Sequence, residues 1–256
     1  MAKILIAGCG YVGSRLAELL IERGDVVYAL NRSPKSLPDG VRTIFADLTE
    51  PLDPELVPES LDVVVYAASA SGTRDEAVYH AIYRSGPANV LSWLEQHHPD
   101  VQRFLFTSSS GVYGQNDASW VDETSLTEPQ GLGGNYMLQG EAVVNDAFCT
   151  SIVIRFSGIY GPNRMGWTKS APAVPRYTNH IHREDCARVL KHLMDLPDPF
   201  PCYIATDCEP YIRTGVTTKA SKRNAGNKRC SNKRLLDSGY EFVYPTYREG
   251  YADENS

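Results

Sequence analysis

The sequence has no long apolar run, no surplus of positive charge and no closely paired cysteines, and each absence excludes a class of protein. No apolar run approaches the ~20 residues that a membrane-spanning helix needs, and the first residues enter a predicted strand without a signal-peptide pattern. A formal net charge of −6 gives no electrostatic basis for a nucleic-acid or anionic-membrane partner. The six cysteines include no CxxC pair, which favours reduced structural thiols over a disulfide framework or a metal site. We therefore expect a cytoplasmic protein that binds neither nucleic acid nor membrane.

What the sequence does contain is a glycine-rich turn near its start, framed by regular structure. Residues 3–7 are a short apolar run typical of a buried parallel strand, and residues 8–13 read GCGYVG, a GxGxxG pattern. Residues 14–23 then have the apolar periodicity of a helix, and residues 26–30 form a second apolar strand. In this setting the pattern predicts a dinucleotide site, with a plain glycine-rich turn as the alternative.

The three glycines of the pattern have separate roles in such a site. Gly8 makes the tight turn, Gly10 lets a pyrophosphate approach the backbone, and Gly13 lets the helix lie close to the strand. The N-terminus of the helix then stabilises the negative charge of the pyrophosphate. Tyr11 and Val12 complete the predicted turn.

The end of the second strand indicates which dinucleotide is bound. An acidic side chain there would hydrogen-bond the adenosine ribose and repel a 2′-phosphate. This chain has Asn31, followed by Arg32 and Ser33, and a guanidinium and a hydroxyl suit a phosphate group. We therefore expect a preference for NADP(H), with NAD(H) as the alternative, unless Arg32 is only a solvated loop cation.

Strands and helices alternate through the first 156 residues, which predicts an α/β fold built on a doubly wound parallel sheet. Further strands are predicted at residues 41–46, 61–67, 101–107 and 151–156, and helices at residues 73–97 and 135–149. We expect the first of these helices to bend or split at residues 85–87, which read SGP.

Two of the predicted strands end in residues suited to a cofactor. Asp47 and Leu48 close the third strand, where the acid either reaches an adenine or caps the next turn. Ala67 and Ala68 close the fourth, and their small side chains would let a cofactor lie against the strand end. Both strand ends therefore join the predicted dinucleotide site.

The last hundred residues are less regular. We predict a dinucleotide-binding domain at residues 1–156 and a small, partly irregular substrate-binding portion at residues 157–256. Helices are expected at residues 184–196 and 233–238, and strands at residues 201–206 and 240–244. Residues 213–234 hold eight lysines and arginines and almost nothing apolar, which indicates a solvated loop or, alternatively, a contact for substrate phosphates.

Five short motifs occur in order along the first 196 residues. They are GYVG at residues 10–13, DL at 47–48, FTSSSGVYG at 106–114, RFSGIYGP at 155–162 and HREDCAR at 182–188. Together they resemble the motifs of the extended short-chain dehydrogenase/reductase family, which includes NAD(P)-dependent sugar-nucleotide epimerases and dehydratases. The ending, KRCSN at residues 228–232 followed by residues 244–251, is similar to that of a bacterial subgroup of epimerase-like proteins. The resemblance implies a Rossmann fold and an NAD(P) cofactor.

The resemblance also implies a catalytic pair. In the family a Tyr transfers a proton to or from a substrate hydroxyl or carbonyl, a Lys four residues later lowers the pKa of that Tyr, and a Ser or Thr on the fifth strand holds the same oxygen. By position these are Tyr136 and Ser109, with Ser108 beside it. The fourth residue after Tyr136 is Gly140, however, and a phenol with a pKa of ~10 needs a nearby cation to act near neutral pH.

Three interpretations of Gly140 stay open. A distant cation, Arg155, Arg164 or Lys169, replaces the lysine; the nicotinamide charge and ribose hydroxyl suffice; or the protein binds the dinucleotide without redox chemistry. The substrate segment is also short, about twenty residues between Gly161 and His180, with Met165, Trp167 and Tyr177 as its large side chains. A short segment favours a compact substrate or a pocket open to a partner.

Two other groups of polar residues have the chemistry of a metal site or of an acid–base pair. His180 and His182 have a spacing that metal sites use, but no ligand set nearby completes one, and the resemblance makes His182 structural. Asp122 and Glu123 have the chemistry of dehydratase acids, although ordinary loop acids are the better interpretation. We therefore predict no metal site.

The resulting hypothesis is an atypical epimerase- or reductase-like enzyme that acts on a hydroxyl or carbonyl of a small or sugar-derived molecule. The alternative is a non-catalytic redox sensor that binds NAD(P) and reports its oxidation state. The resemblance implies a homodimer formed through residues 73–97 and 135–149. The predicted catalytic residues are Tyr136 and Ser109, and the predicted cofactor-binding residues are Gly8, Gly10, Tyr11, Val12, Gly13, Asn31, Arg32, Asp47, Leu48, Ala67, Ala68, Ser108, Tyr136, Phe156 and Ser157.

Overall fold

The computed structural model describes residues 1–57, 60–70, 72–73, 75–164, 175–214 and 226–254. Strands and helices alternate along the described chain. The strands are β1 (Lys3–Ala7), β2 (Val26–Asn31), β3 (Arg42–Phe45), β4 (Val63–Tyr66), β5 (Arg103–Ser109), β6 (Trp120–Val121), β7 (Thr150–Phe156), β8 (Gly158–Tyr160), β9 (Arg176–Thr178), β10 (His180–His182), β11 (Cys202–Ala205), β12 (Tyr211–Arg213) and β13 (Arg229–Cys230). The α-helices are α1 (Tyr11–Glu22), α2 (Glu76–His80), α3 (Gly86–His97), α4 (Leu132–Asn145), α5 (Arg183–Asp195), α6 (Lys233–Asp237) and α7 (Tyr247–Glu254), with a π-helical turn at Ala81–Ser85 and a 3₁₀ turn at Ser110–Val112.

Seven strands form one sheet in the order β11-β7-β5-β4-β1-β2-β3. The pairs from β3 through β2, β1 and β4 to β5 are all parallel. β1 lies in the interior of the sheet, between β4 and β2, and Ile4, Leu5 and Ile6 are fully buried there, as its short apolar run predicts. The doubly wound parallel sheet is thereby confirmed. The strand order reverses between β1 and β4, so the crevice for a ligand is expected at the carboxyl ends of these two strands.

The chain divides into two compact units, each assembled from separate segments. Unit 1 contains residues 1–108, 136–154 and 187–201. Unit 2 contains residues 109–135, 155–186 and 202–256. Unit 1 carries most of the large sheet, whereas unit 2 contains three short two-stranded pairs, β8 with β10, β9 with β12 and β6 with β13. The boundary at residue 156 stays a prediction.

The helical segment expected at residues 73–97 is divided by the π-helical turn, which ends at Ser85, the first residue of the expected break at residues 85–87. Pro87 lies in the first turn of α3, directly after the π turn. Gly86 permits a close approach, because a Cβ there would overlap the hydroxyl of Tyr66. That hydroxyl donates to the carbonyl oxygen of Ile82 in the π turn at 2.5 Å. A tyrosine of β4 thus bonds to the helix backbone at the π turn.

The strand expected at residues 240–244 is wrong, because the described residues there form no strand. The buried carboxylate of Asp185 accepts from the backbone N–H groups of Val243 and Tyr244, at 2.8 and 3.0 Å, and from the hydroxyl of Tyr240 at 2.8 Å. These bonds satisfy backbone donors that a partner strand would otherwise satisfy.

Met165, Trp167 and Lys169 lie outside the described residues.

A second buried acid of unit 2, Asp207, is much less well satisfied. Its side chain is 2% exposed, and neither carboxylate oxygen forms a hydrogen bond of good geometry with a described residue. Burial raises the pKa of Asp207 to about 8, and the approach of the backbone N–H groups of Glu209 and Tyr247 lowers it only in part. At neutral pH the acid is therefore largely protonated in the folded protein.

Replacement of Asp207 by Asn tests this assignment. The folded protein keeps a proton on Asp207 that the unfolded chain loses above about pH 4, so the unfolding free energy should fall as the pH rises towards about 8. Relative to the Asp207→Asn variant, the decline should reach up to about 1.4 kcal/mol per pH unit. Urea denaturation at several pH values measures it. Asp198→Asn, at an exposed acid, is the matched control, and parallel profiles for wild type and Asp207→Asn would contradict the assignment.

Candidate functional site

The glycine turn after β1 presses against the end of β4. Gly8 has φ +85°, a conformation that favours glycine, and its N–H donates to the carbonyl oxygen of Leu30 at 2.8 Å. A Cβ on Gly8 would overlap the backbone N and Cα of Ala68. Ala67 is tied to β1 as well, because its N–H donates to the carbonyl oxygen of Ala7 at 2.8 Å. The two strand ends that flank the reversal of strand order are thus in direct contact.

The N-terminus of α1 begins in this turn without a side-chain cap. Gly10 is the N-cap residue and offers no side chain, and the first turn of the helix contains no acid. A Cβ on Gly10 would meet no atom closer than 3.8 Å, whereas one on Gly13 would lie 3.1 Å from Ile6. Gly10 therefore borders open space and Gly13 packs on the strand. Backbone N–H groups at a helix N-terminus that faces open space fit a pyrophosphate.

A lysine that the sequence analysis did not single out lies beside this turn. The Nζ atom of Lys35 is 3.9 Å from the position that a Cβ on Gly10 would occupy. The same ammonium lowers the pKa of Cys9 in part, although burial dominates and raises that pKa to about 12. The thiol is thus inert, and the ammonium adds positive charge where an anion is expected. Lys35 lies three residues after Arg32, in a turn-rich connection whose direction the sequence does not predict.

The end of β2 presents a buried amide and an exposed guanidinium. Asn31 is 4% exposed, and its Nδ2 atom has no hydrogen-bond partner among the described residues. The side chain of Arg32 is 78% exposed, with Nη1 4.0 Å from Oδ2 of Asp47. The other oxygen of Asp47 accepts from the N–H and hydroxyl of Thr49, and these bonds lower the pKa of Asp47. Asp47 therefore caps the next turn, and Leu48 beside it is buried.

The serines at the end of β5 are held in different ways. The hydroxyl of Ser108 donates to Oε1 of Glu141 at 2.5 Å, and both side chains are buried in unit 1. The hydroxyl of Ser109 accepts from the N–H of Gly111 at 3.0 Å and so starts the 3₁₀ turn in unit 2. Glu141 was not predicted as a site residue. Its position five residues after Tyr136 is the one signal for it in the sequence.

Tyr136 lies near the start of α4, and its hydroxyl donates to Oε1 of Glu76 at 2.9 Å. The ring of His80 stands edge-on to it at 5.7 Å between centroids. The bond to the carboxylate of Glu76 raises the pKa of Tyr136. This surrounding is the reverse of the cation that would activate a phenol near neutral pH.

Gly140 is buried where α4 crosses the segment before α3. A Cβ there would overlap the carbonyl oxygen of Tyr83 and lie 2.8 Å from Cζ of Phe106. No larger side chain fits unless the two helical segments separate. The position at which the resemblance places a lysine is therefore used for packing in unit 1.

The other residues named from the sequence lie in unit 2. Phe156 and Ser157, at the end of β7, are buried. Arg155 donates to the hydroxyl of Tyr113 at 2.6 Å, and its guanidinium lies 5.1 Å from the centre of that ring. Its contact with Tyr113 thus occupies at least part of the guanidinium that was considered as a distant cation.

His180 and His182 pack against aromatic rings. Their ring centroids lie 6.3 and 5.1 Å from that of Tyr160, and His182 is 4.2 Å from Tyr244. Burial lowers the pKa of His180 to about 4. Across the part of the chain that the structure describes, no cluster of three or more His, Cys, Asp or Glu residues suits a metal ion. None of the six cysteines, each at a described position, forms a disulfide.

Asp122 and Glu123 are both occupied with the fold of unit 2. Asp122 accepts from the N–H and hydroxyl of Thr124, which lowers the pKa of Asp122. Glu123 accepts from the N–H of Ile204 at 2.8 Å and lies 3.7 Å from Nε of Arg234.

Within the described ranges, no helix is both long and apolar enough to cross a membrane.

Comparison with known proteins extends this picture. The model of the NAD-dependent epimerase/dehydratase family matches residues 4–196. A solved structure from Methylobacillus flagellatus, provisionally described as an NAD-dependent epimerase/dehydratase, is 33% identical, with a TM-score of 0.79 over 99% of this chain and 97% of its own. The match with a family model and the structural likeness both include the glycine turn.

Two curated relatives are more distant. UDP-glucose 4-epimerase from Azospirillum brasilense is 24% identical over 201 residues, which cover 73% of this chain and 56% of that protein. D-erythronate dehydrogenase from Cupriavidus necator is 25% identical over 263 residues, which cover 93% of this chain and 76% of that protein. The chain spans about half the length of the first curated relatives that it matches.

The packing at Gly140 predicts a large effect of a small substitution. Gly140→Ala should lower the free energy of unfolding by about 1–3 kcal/mol, because the added methyl group overlaps the carbonyl oxygen of Tyr83. Gly131→Ala, just before α4, is the matched control, since a Cβ there meets nothing within 4 Å, and its effect should stay within about 0.5 kcal/mol. Urea denaturation compares the two. Equal stabilities would show that the helices do not cross at this distance.

Proposed function

This chain belongs to the NAD-dependent epimerase/dehydratase family, and we propose that it is an enzyme that oxidises or reduces a hydroxyl or carbonyl group with a nicotinamide dinucleotide. The observation that carries the proposal is the uncapped turn of α1, which Gly8 holds against Ala68 at the reversal of strand order. Parallel sheets bind ligands at this point, and the backbone donors there suit a pyrophosphate.

The substrate that we propose is a small, sugar-derived molecule. Two relatives support the class, since one is named for a UDP-sugar and the other for D-erythronate, an oxidised four-carbon sugar derivative. The proposal covers epimerases, dehydratases and reductases, because all three begin with chemistry at a hydroxyl or carbonyl carbon.

The residues of the site have distinct proposed roles. Gly8, Gly10 and Gly13 would hold the pyrophosphate, and the dinucleotide would supply hydride exchange. Ser109 would hold the substrate oxygen, and Tyr136 would exchange a proton with it. Glu76 accepts a hydrogen bond from the same hydroxyl and raises the pKa of Tyr136, so the phenol stays protonated near neutral pH and cannot act as a base in this arrangement.

We also propose a preference for NADP(H) over NAD(H). Asn31 at the end of β2 offers no negative charge, and its Nδ2 donor has no partner among the described residues. Arg32 is exposed beside it, and Lys35 is near the turn. A 2′-phosphate would meet two cations and an amide here, and the charge of Asp47 is offset in part by Arg32 at 4.0 Å.

A second candidate function is a redox sensor that binds the dinucleotide without turnover. It is favoured by one observation, the buried Gly140 whose packing against Tyr83 leaves no room for a lysine on that turn of α4. The bond between Tyr136 and Glu76 points the same way, because it keeps the phenol protonated. Retention of a polar Ser109 and Tyr136 favours the enzyme.

The homodimer is proposed as well, through α2, α3 and α4 of each copy. Val78 on α2 and Phe148 after α4 are apolar side chains that are 37% and 39% exposed. Light scattering should then report about twice the chain mass of 28.3 kDa.

The absence of a disulfide among the six cysteines, all at described positions, supports the proposed cytoplasmic location, where thiols stay reduced.

The Gly10→Ala variant tests the cofactor site. The added methyl group has room in the protein itself, so stability should change by less than about 1 kcal/mol. It stands where the pyrophosphate must approach the backbone, so the affinity for the dinucleotide should fall at least tenfold. Calorimetric titration with NADP(H) and NAD(H) measures this effect, with Gly131→Ala as control. Undiminished affinity would place the dinucleotide elsewhere.

The same titrations test the cofactor preference. Wild type should bind NADP(H) more tightly than NAD(H), and Arg32→Ala should lose that difference while its NAD(H) affinity is kept. Equal affinities in the wild type would contradict the preference and leave the site itself unaffected.

The Tyr136→Phe variant separates the enzyme from the sensor. Wild type loaded with cofactor is incubated with sugars, nucleotide sugars and small carbonyl compounds, and nicotinamide absorbance and product NMR are both followed. For an enzyme, Tyr136→Phe should reduce turnover about a hundredfold or more without loss of cofactor affinity. Cofactor binding with no turnover of any compound by the wild type would favour the sensor.

A further inference from the structure

The short strand β13 places two polar side chains on one face and an arginine on the other. Lys228, just before the strand, and Cys230 within it alternate with Arg229, so they point to the same side. The guanidinium of Arg229 lies 4.9 and 5.1 Å from the ring centres of Trp120 and Tyr177. Lys228 and Cys230 are instead 7% and 1% exposed. The motif at residues 228–232 therefore turns a lysine and a thiol inward in unit 2.

One asparagine fixes the backbone of this segment. The side-chain amide of Asn179 donates to the carbonyl oxygen of Lys228 at 3.0 Å and accepts from the N–H of Cys230 at 2.8 Å. The preceding carbonyl, of Asn227, accepts from the N–H of Ala118 at 2.7 Å. The inward direction of Lys228 is thus set by backbone bonds on both sides of it.

The ammonium of Lys228 has no acidic partner within the described part of the chain. Its Nζ donates to the carbonyl oxygen of Tyr113 at 2.8 Å, a neutral acceptor, and burial lowers the pKa of Lys228. Lys233 shows the usual arrangement, an exposed ammonium 2.7 Å from the carboxylate of Asp237. A buried cation without a counter-charge is costly, and such groups are concentrated at functional sites.

Two hydroxyls lie on the same side of this segment. Ser110 directly follows β5 and Ser157 directly follows β7, so both stand at carboxyl ends of strands in the large sheet, where ligands bind in open parallel sheets. Both are near enough to the thiol of Cys230 to lower its pKa. The hydroxyl of Ser157, on a residue that is 6% exposed, makes no hydrogen bond of ordinary geometry to a described residue.

We propose that Lys228, Ser157 and Ser110 form a binding site in unit 2 for the carboxylate of a small organic acid. One ammonium balances one negative charge, and hydroxyls donate to the second carboxylate oxygen. A phosphate dianion would call for a second cation, commonly a bidentate arginine. The site stands on unit 2 alone, and only the identification of this acid as the substrate rests on the proposed function.

Binding of D-gluconate, with D-glucose as its uncharged counterpart, tests the site in the full-length protein. Ligand-observed NMR should detect gluconate binding that is at least tenfold tighter than glucose binding. Lys228→Met should weaken gluconate binding at least tenfold, while Lys233→Met, at an exposed lysine, should leave it unchanged. Because burial lowers the pKa of Lys228, its ammonium is lost at a lower pH than an ordinary lysine's, and the wild-type affinity should fall as the pH rises through that lowered pKa.

Three results would overturn the proposal: equal affinities for gluconate and glucose, tighter binding of inorganic phosphate than of gluconate, or full gluconate affinity in a folded Lys228→Met variant. If Lys228→Met does not fold by circular dichroism, the wild-type pH profile and Ser157→Ala decide, with a several-fold loss expected from the latter. NADP(H) titration of the same samples separates the two proposals, since cofactor binding without gluconate binding refutes only this one.

Discussion

The close approach of Gly8 to Ala68 is the constraint on which the proposed dinucleotide site depends. It joins the turn after β1 to the end of β4, the two strands at which the order of the sheet reverses. With that contact made, α1 follows its N-cap residue Gly10 with no side-chain cap and no acid in its first turn. Asn31 and Lys35 add a donor and a positive charge to the same region, and the anion site that we propose there rests on backbone geometry more than on charged side chains.

The two units treat buried charge differently. In unit 1 the acids near the site are consumed locally, Asp47 by the turn at Thr49 and Glu141 by the hydroxyl of Ser108. In unit 2 Asp185 anchors the C-terminal segment with three hydrogen bonds. Among the residues that the structure describes, the buried Asp207 and Lys228 have neither a salt bridge nor an equivalent set of donors or acceptors. Groups of the first kind hold a fold together. Groups of the second kind reduce stability and therefore call for a separate reason to be present.

The sequence predicted the sheet because buried parallel strands are short apolar runs, and their spacing with helices admits few topologies. It predicted the glycine turn for the same local reason. The partners of Tyr136 and Gly140 were out of reach, because Glu76 and Tyr83 are more than fifty residues away in the chain and no periodicity links them. The strand expected at residues 240–244 failed in a similar way, since alternation of side chains cannot reveal that Asp185 takes the backbone donors. Local sequence patterns predict helices and strands, whereas contacts between residues far apart in the chain determine the surroundings of the site residues.

The crossing at Gly140 limits how this site could change. If the position of Gly140 bordered open space, replacement of that one residue would place a lysine four residues after Tyr136. Here the carbonyl oxygen of Tyr83 occupies that volume, so a lysine demands a prior shift of the π-helical turn, and the shift by itself brings no catalytic gain. The two changes are useful only together, which makes the glycine a barrier to single-step evolution or design. An engineer who wants a cation near Tyr136 would do better to replace Glu76 on α2, where the hydroxyl already has its partner.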